Sequence, residues 1–392
     1  MLRARRSKGT SPSTEEHPIE RIPIYRALIE QEEIEAAEEA LRGGWLGMGS
    51  YVGDFERAVE KILDADRRAV AVNTGYAALH LALITAGVGP GDEVVVPAFT
   101  HLADVQAIRA VGAAPVLCDV LDETLCLDPA AVAELIGPRT RAILSMDYGC
   151  HLVDHGAIAT LADTHGLRVV HDAAHSFGAF RGDDMVGSFS DICMFSFDPV
   201  KAVSCVDAGM VVVKTDEEAE RLLALRILGA SHPAELAYHQ QRAWHFDVVE
   251  DGFRYHLSNL HAAIGLAQLA KLDTIRATRQ AACRAYTERL AGIDGLRVPS
   301  GDVDRLNPFL YYVRVADGRR QAFREHLVAR GVETGIHWLP VHQTTLYGGC
   351  RRGDLSVTDA AAEEIVSLPL HSGMAIETVE RVCDVARSFF AR

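Results

Sequence analysis

Only five of the 39 basic residues are lysines, at positions 8, 61, 201, 214 and 271. Four of them fall in the N-terminal tail, on polar helix faces or at a strand exit. Lys201 lies between Phe195-Ser196-Phe197 and Val211-Val212-Val213, in a stretch of small and apolar residues. An amine partly withdrawn from water there is pushed toward its neutral, nucleophilic form. Taken alone, the same residue also reads as a solvated loop lysine.

Asp172 ends the apolar run Val169-Val170-His171, which reads as a buried strand. In open α/β sheets ligands bind at the carboxyl ends of strands. A carboxylate there can hold the proton of a pyridine ring nitrogen, the partner that a pyridoxal cofactor requires; it can equally be a helix N-cap. Asn73-Thr74-Gly75-Tyr76-Ala77 is a polar glycine turn opening into a helix. Such a terminus offers free N–H groups to a phosphate, or is simply a capped helix. Ser196, five residues before Lys201, can reach the same phosphate or be an ordinary strand-end serine. The chain order is phosphate turn, strand-end aspartate, then lysine after Ser-Phe-x-Pro, as in the aspartate-aminotransferase-like fold.

Other chemistries fit less well. Gly47-x-Gly49-x-x-x-Gly53 has the wrong spacing for a dinucleotide fingerprint, and no phosphate-loop sequence of the nucleoside-triphosphatase type occurs. His151 and His155 are four residues apart, but Tyr148-Gly149-Cys150-His151 reads as a loop, so no metal site is expected.

The elements that must position these residues follow from the apolar pattern. Helices are expected over Glu30–Leu41 and Phe55–Leu63, with the glycine-rich Trp45–Gly53 between them as a loop. Short apolar strands then alternate with helices: Ala69–Val72, Glu93–Val96, Pro115–Val120, Arg141–Met146, Arg168–Val170, Met194–Phe197 and Gly209–Val213. That rhythm predicts an α/β fold with a mostly parallel sheet covered by helices on both faces. One long helix is expected over Ser258–Arg276 with more helix to Leu290. Strands are expected in Arg297–Val315, and helices over Arg319–Ala329 and Glu377–Phe390. The division reads as a tail over residues 1–21, a large domain over 22–273 and a smaller C-terminal α+β domain over 274–392.

The length of 392 residues is comfortable for two unequal lobes. A formal net charge of −15 argues against a nucleic-acid-binding surface. No apolar run approaches the roughly 18 residues of a membrane span. The eight cysteines are scattered without a CxxC pair, which suggests a reducing compartment, and a cytoplasmic protein is expected.

Beyond these local readings, the chain from about Ile22 onward resembles the DegT/StrS family of sugar aminotransferases. The resemblance is carried by Gly44-Trp45-Leu46, Thr74 to Leu79, Gly91 to Thr100, Asp172-Ala173-Ala174-His175 and Ser196 to Lys201. Tyr255 to Leu272, Gly335 to His342 and Ser367 to Leu370 carry it further. It implies pyridoxal 5'-phosphate as cofactor, with pyridoxamine phosphate in the other half of a ping-pong reaction. By resemblance Lys201 would form the Schiff base and move the proton, Asp172 would hold the ring nitrogen, and His175 would lie near the phenolic oxygen. Thr74, Gly75, Tyr76 and Ser196 would cradle the phosphate, and His101 would stack on the ring. The family also implies a homodimer in which the segment from His256 to Asn259 serves the neighbouring site.

An acceptor pocket would draw on Trp45, Leu46, Gly47 and Tyr51, and on His337 and His342. The donor would be an amino acid, with glutamate expected, and the acceptor a keto group on a nucleotide-linked sugar. A cyclitol or other keto acceptor, a non-aminating sugar-modifying enzyme, and a non-catalytic protein of the same fold are the alternatives. Tyr76 for Thr, His101 for a Trp, Phe or Tyr, His256 for Asn, and Asp207-Ala208-Gly209 for Glu-Gly-Gly depart from the family pattern and bear on substrate choice.

Overall fold

The computed structural model describes residues 21–231, 238 and 245–391. The expected tail lies outside the described residues except for Arg21. Seven strands form the central sheet: β1 (Arg68–Val72), β2 (Glu93–Pro97), β3 (Ala114–Cys118), β4 (Thr140–Met146), β5 (Arg168–Asp172), β8 (Ile192–Ser196) and β9 (Gly209–Val213). Two short strands, β6 (Phe180–Arg181) and β7 (Asp184–Met185), make a separate hairpin. The sheet order is β1-β9-β8-β5-β4-β2-β3; β9 runs antiparallel to both its neighbours and every other pairing is parallel.

The strands are short, β-branched and buried on both faces, as parallel strands under helices must be. Alternation along a strand sends its side chains into different cores. Val94 and Val96 of β2 join one apolar cluster with Leu144, Val170 and Met194. Val95 between them joins another with Val116 and Ile143.

Helices α1 (Gln31–Gly43), α2 (Ser50–Leu63), α3 (Gly75–Thr85), α4 (Leu102–Ala110), α5 (Pro129–Leu135), α6 (His155–His165) and α7 (Asp216–Leu225) accompany this sheet. α3 is apolar almost all round because it is buried, with Ala77 to Leu83 all inside.

Two expectations need correcting. The loop from Trp45 stops at Gly49, because Ser50–Gly53 already belongs to α2. Gly53 lies inside that helix, and the lack of a side chain suits the crowding there: a Cβ would sit 3.1 Å from Arg57 Nη1 and 3.2 Å from the Tyr238 ring. The expected long helix is two, α8 (Asn259–Ala270) and α9 (Leu272–Leu290). They break at Lys271, whose backbone leaves helical values while its Nζ reaches Glu30 Oε2 at 2.9 Å and Glu33 Oε1 at 2.7 Å.

Between α7 and α8, β10 (Ala230–Ser231) pairs with β11 (Asp247–Val248). The C-terminal part folds around β12 (Leu296–Arg297), β13 (Tyr311–Val315) and β14 (Ile365–Leu368), an antiparallel sheet. Strand structure in 297–315 is thus confined to its two ends. Helices α10 (Arg320–Val328), α11 (Ser356–Glu364) and α12 (Ile376–Phe390) complete this part. Tyr286, Tyr311, Phe323, Leu327 and Val382 share its core. Among the described residues no helix is long and apolar enough to cross a membrane.

Candidate active site

Parallel pairing brings the carboxyl ends of β4, β5 and β8 to one edge, and those ends are Met146, Asp172 and Ser196. A cavity of about 410 Å³ opens there. Nine of the residues singled out from the sequence line it: Thr74, Gly75, Tyr76, His101, Asp172, His175, Ser196, Lys201 and His337. Residues that local reasoning could not reach complete the wall, among them Ile24, Tyr25, Phe309, Leu310, Trp338 and Ser367.

The turn after β1 and the end of β8 meet tightly. Thr74 caps α3, its Oγ1 accepting from Ala77 N at 3.0 Å. A Cβ on Gly75 would come within 2.7 Å of Ser196 Oγ. The absence of that carbon is what lets a hydroxyl and the first N–H groups of α3 face the same space.

Lys201 leaves the loop after β8, held by its N–H donating to Asp198 O at 3.0 Å. Its Nζ lies 4.1 Å from the centre of the Phe309 ring. Burial lowers its pKa, while the charges of Asp172, Asp198 and Asp104 pull the other way without cancelling the effect. Asp172 is buried and anchored, its Oδ1 accepting from Ala174 N at 2.8 Å.

His175 is equally enclosed. Its ring stacks on Phe309 with centroids 4.3 Å apart, and its Nδ1 accepts from Gly149 N at 3.3 Å. Burial, then the charges of Lys201, His337 and His101, hold its pKa well below the ordinary value. The ring is therefore neutral with its proton on Nε2. His101 caps α4 through Nδ1 and meets Trp338 edge to face at 5.0 Å. His337 pairs with Ser367 Oγ at 2.7 Å, and its backbone oxygen accepts from the Tyr148 hydroxyl. Burial takes the His337 imidazole down to about 4.

The remaining candidates do not line this cavity. Asn259 gathers the Trp45–Tyr51 stretch instead: it donates to Trp45 O at 3.1 Å, and its Oδ1 accepts from Tyr51 N at 3.0 Å. Its own N–H donates to Gly47 O at 3.0 Å and to Leu46 O at 3.3 Å. His256 bridges to Val72, one residue beyond the Tyr255 carbonyl that accepts from Asn73 N. His342 turns to Asp359, 2.9 Å away. His155 joins Asp147 and His171 in a buried cluster behind the site, and His151 is not part of it.

The family model for the DegT/DnrJ/EryC1/StrS aminotransferases matches residues 27–387. The Bacillus subtilis spore coat polysaccharide biosynthesis protein SpsC is 32% identical over 375 residues, covering 93% of this chain and 96% of that protein. The aminotransferase TlmJ from Streptoalloteichus hindustanus is 33% identical, with a TM-score of 0.87 over 94% of this chain and 99% of that one. S. venezuelae DesV is also 33% identical, with a TM-score of 0.86 over 95% and 99% of the two chains. A match over nearly the whole length, around a cavity built from the residues that the motifs predict, makes the assignment: this chain belongs to the DegT/DnrJ/EryC1/StrS aminotransferase family.

Proposed function

We propose that the cavity holds pyridoxal phosphate and that the chain moves an amino group from L-glutamate to a keto group of a nucleotide-linked sugar. The observation that carries this reading is the convergence of Lys201, Asp172 and the Gly75–Ser196 cradle on one cavity. The donor set suits the cofactor: hydroxyl and N–H groups for a phosphate, a buried carboxylate for a ring nitrogen, and an amine whose pKa burial has lowered.

Bound there, pyridoxal phosphate supplies a protonated ring that draws electrons from the carbon being deprotonated. The Ser196 hydroxyl and the N–H groups of Gly75 and Tyr76 would hold the phosphate, where the dipole of α3 favours negative charge. Asp172 would hold the proton at the ring nitrogen. His175, fixed through Nδ1, would donate its Nε2 proton to the phenolic oxygen, and His101 would cover the ring. Lys201 takes and returns the proton at the substrate carbon, work typically worth ~10²–10⁴-fold. Phe309, Leu310 and Trp338 keep water from that amine.

A homodimer accounts for the residues away from the cavity. Trp45, Leu46, Gly47 and Tyr51 are bound together by Asn259 beside His256, forming a unit that can serve the partner's site. His337 belongs to the acceptor side of the same chain. We further read residues 22–273 and 274–392 as the large and small domains, and the eight free thiols favour the cytoplasm. A non-sugar acceptor is the second reading, favoured by likeness to 3-amino-5-hydroxybenzoic acid synthase at 28% identity and a TM-score of 0.85.

The test is the absorption spectrum of the cofactor-loaded protein before and after L-glutamate, with no acceptor present. Loss of the visible band with release of 2-oxoglutarate supports the donor half. A band that glutamate leaves unchanged rejects glutamate, and the absence of any such band rejects the Lys201 assignment. Profiling keto sugars against cyclic ketones then decides the acceptor.

A further inference from the structure

Asp104 sits in the first turn of α4 and exposes no surface. An acid in a first turn is ordinarily charged and welcome, because the helix N-terminus favours an anion. The local role is already filled here, since His101 caps the helix and Thr100 Oγ1 donates to Asp104 Oδ2. Oδ1 is buried and receives no donor from the surrounding protein. What does lie within hydrogen-bonding reach is the carboxyl group of Asp172, itself 3% exposed. An ionised carboxylate accepts and cannot donate. Two such groups touching in a dry setting cannot both carry charge, and a shared proton is what satisfies them.

We infer that Asp104 is a positioning residue that keeps a proton and donates it to Asp172, so that the pair carries one negative charge and presents it to the cofactor's ring nitrogen. The inference rests on the assignment of Asp172 to that nitrogen. Asp172 is then held from two sides, by Ala174 N on Oδ1 and by the Asp104 hydroxyl, with lone pairs left for the ring. The titration behaviour agrees: burial first, and then the Asp172 charge, push the Asp104 carboxyl well above its usual value. A capping acid alone explains Thr100, but it does not explain a second carboxyl placed against the first.

The experiment needs full-length protein with Asp104→Asn and Asp104→Leu variants. Infrared difference spectra near neutral pH should show a protonated-carboxyl C=O band in the wild type, with or without pyridoxal phosphate, that disappears in Asp104→Asn. A wild type without that band overturns the inference. With cofactor labelled by 15N in the ring, Asp104→Leu should weaken binding about tenfold and shift the nitrogen signal toward the unprotonated form. Asp104→Asn, which keeps a donor, should recover most of both. An Asp104→Leu protein that folds and matches the wild type in both readouts overturns the inference, as does an Asn variant no better than Leu. If the Leu variant does not fold, the infrared band and the Asn variant decide. A wild type with the band that takes up no cofactor leaves the shared proton standing and strikes only the functional reading.

Discussion

His171 Nε2 lies 2.8 Å from Asp147 Oδ2, and neither side chain touches solvent. Asp147 also accepts from Ser176 Oγ at 2.6 Å and from Val153 N at 2.9 Å, and His171 Nδ1 meets Ser190 Oγ at 2.8 Å. Burial alone pulls the imidazole down, but the Asp147 carboxylate and Cys193 outweigh it and push His171 up to about 10. Burial likewise opposes the Asp147 charge, and His171 and His155 hold it below the ordinary carboxylate range. His171 therefore stabilises fully below 6.5 and loses its contribution as pH rises toward 10. Asp147 stabilises fully above 3.8 and loses its contribution as pH falls through its lowered value. His171→Gln should cost about 3–5 kcal/mol at about pH 6 and much less at about pH 9.5. Urea midpoints of the apoprotein at one fixed concentration check this; a gap that stays constant between the two pH values refutes the pairing.

Lys201→Arg keeps a cation but cannot supply a neutral amine, because a guanidinium does not deprotonate in proteins. Turnover should fall by ~10²-fold or more, and borohydride should no longer fix the cofactor to the chain. Covalent trapping that survives the substitution would show that another amine does the work.

Gly75 begins α3 without a left-handed backbone, so alanine suits its conformation and favours the helix. The added Cβ nonetheless meets Ser196 Oγ at 2.7 Å and Ser196 Cβ at 2.8 Å. Gly75→Ala should leave the melting temperature of the apoprotein within a few degrees while weakening cofactor binding about tenfold or more. Fluorescence titration separates the two effects, and unchanged affinity would remove the cradle from the phosphate site.

Arg226 is wholly buried beneath β1, donating to Ala71 O at 2.7 Å and pairing with Glu56 Oε1 at 2.5 Å. Glu56 Oε1 accepts from Ala71 N as well, so the ion pair closes onto one backbone unit of the strand. Removing either partner alone should cost about 3–5 kcal/mol, because the other charge is stranded; replacing both with Met should cost less than either single change. Denaturation of the three variants measures this. Additive losses would mean that the two side chains act separately.

Much of this architecture can be read locally. Asp172 ends an apolar strand, Thr74 and Gly75 open an apolar helix, and Lys201 stands out because lysines are scarce. Parallel pairing does the rest, since it carries the carboxyl end of every strand of the central sheet but β9 to one edge. What escaped local reading depends on distant partners. Lys271 has no glycine or proline to announce a helix break; Glu30 and Glu33, far away in the chain, hold it. Phe309 carries no local mark of facing the Lys201 amine, nor Trp338 of lining the same cavity. Asp104 has nothing in its neighbouring sequence to announce a second carboxyl group, and only the fold sets it near Asp172.

The cavity wall includes Ile24 near one end of the chain and Leu370 near the other. Contacts so far apart in sequence form slowly, because the ends of very long loops must find each other first. The pocket is therefore a product of completed folding, and a nascent chain still short of Ser367 has no finished place for a ligand. Cofactor uptake during refolding should wait on the protein and should not quicken when more cofactor is supplied. On that expectation the cofactor would certify the fold after the fact and would not template it.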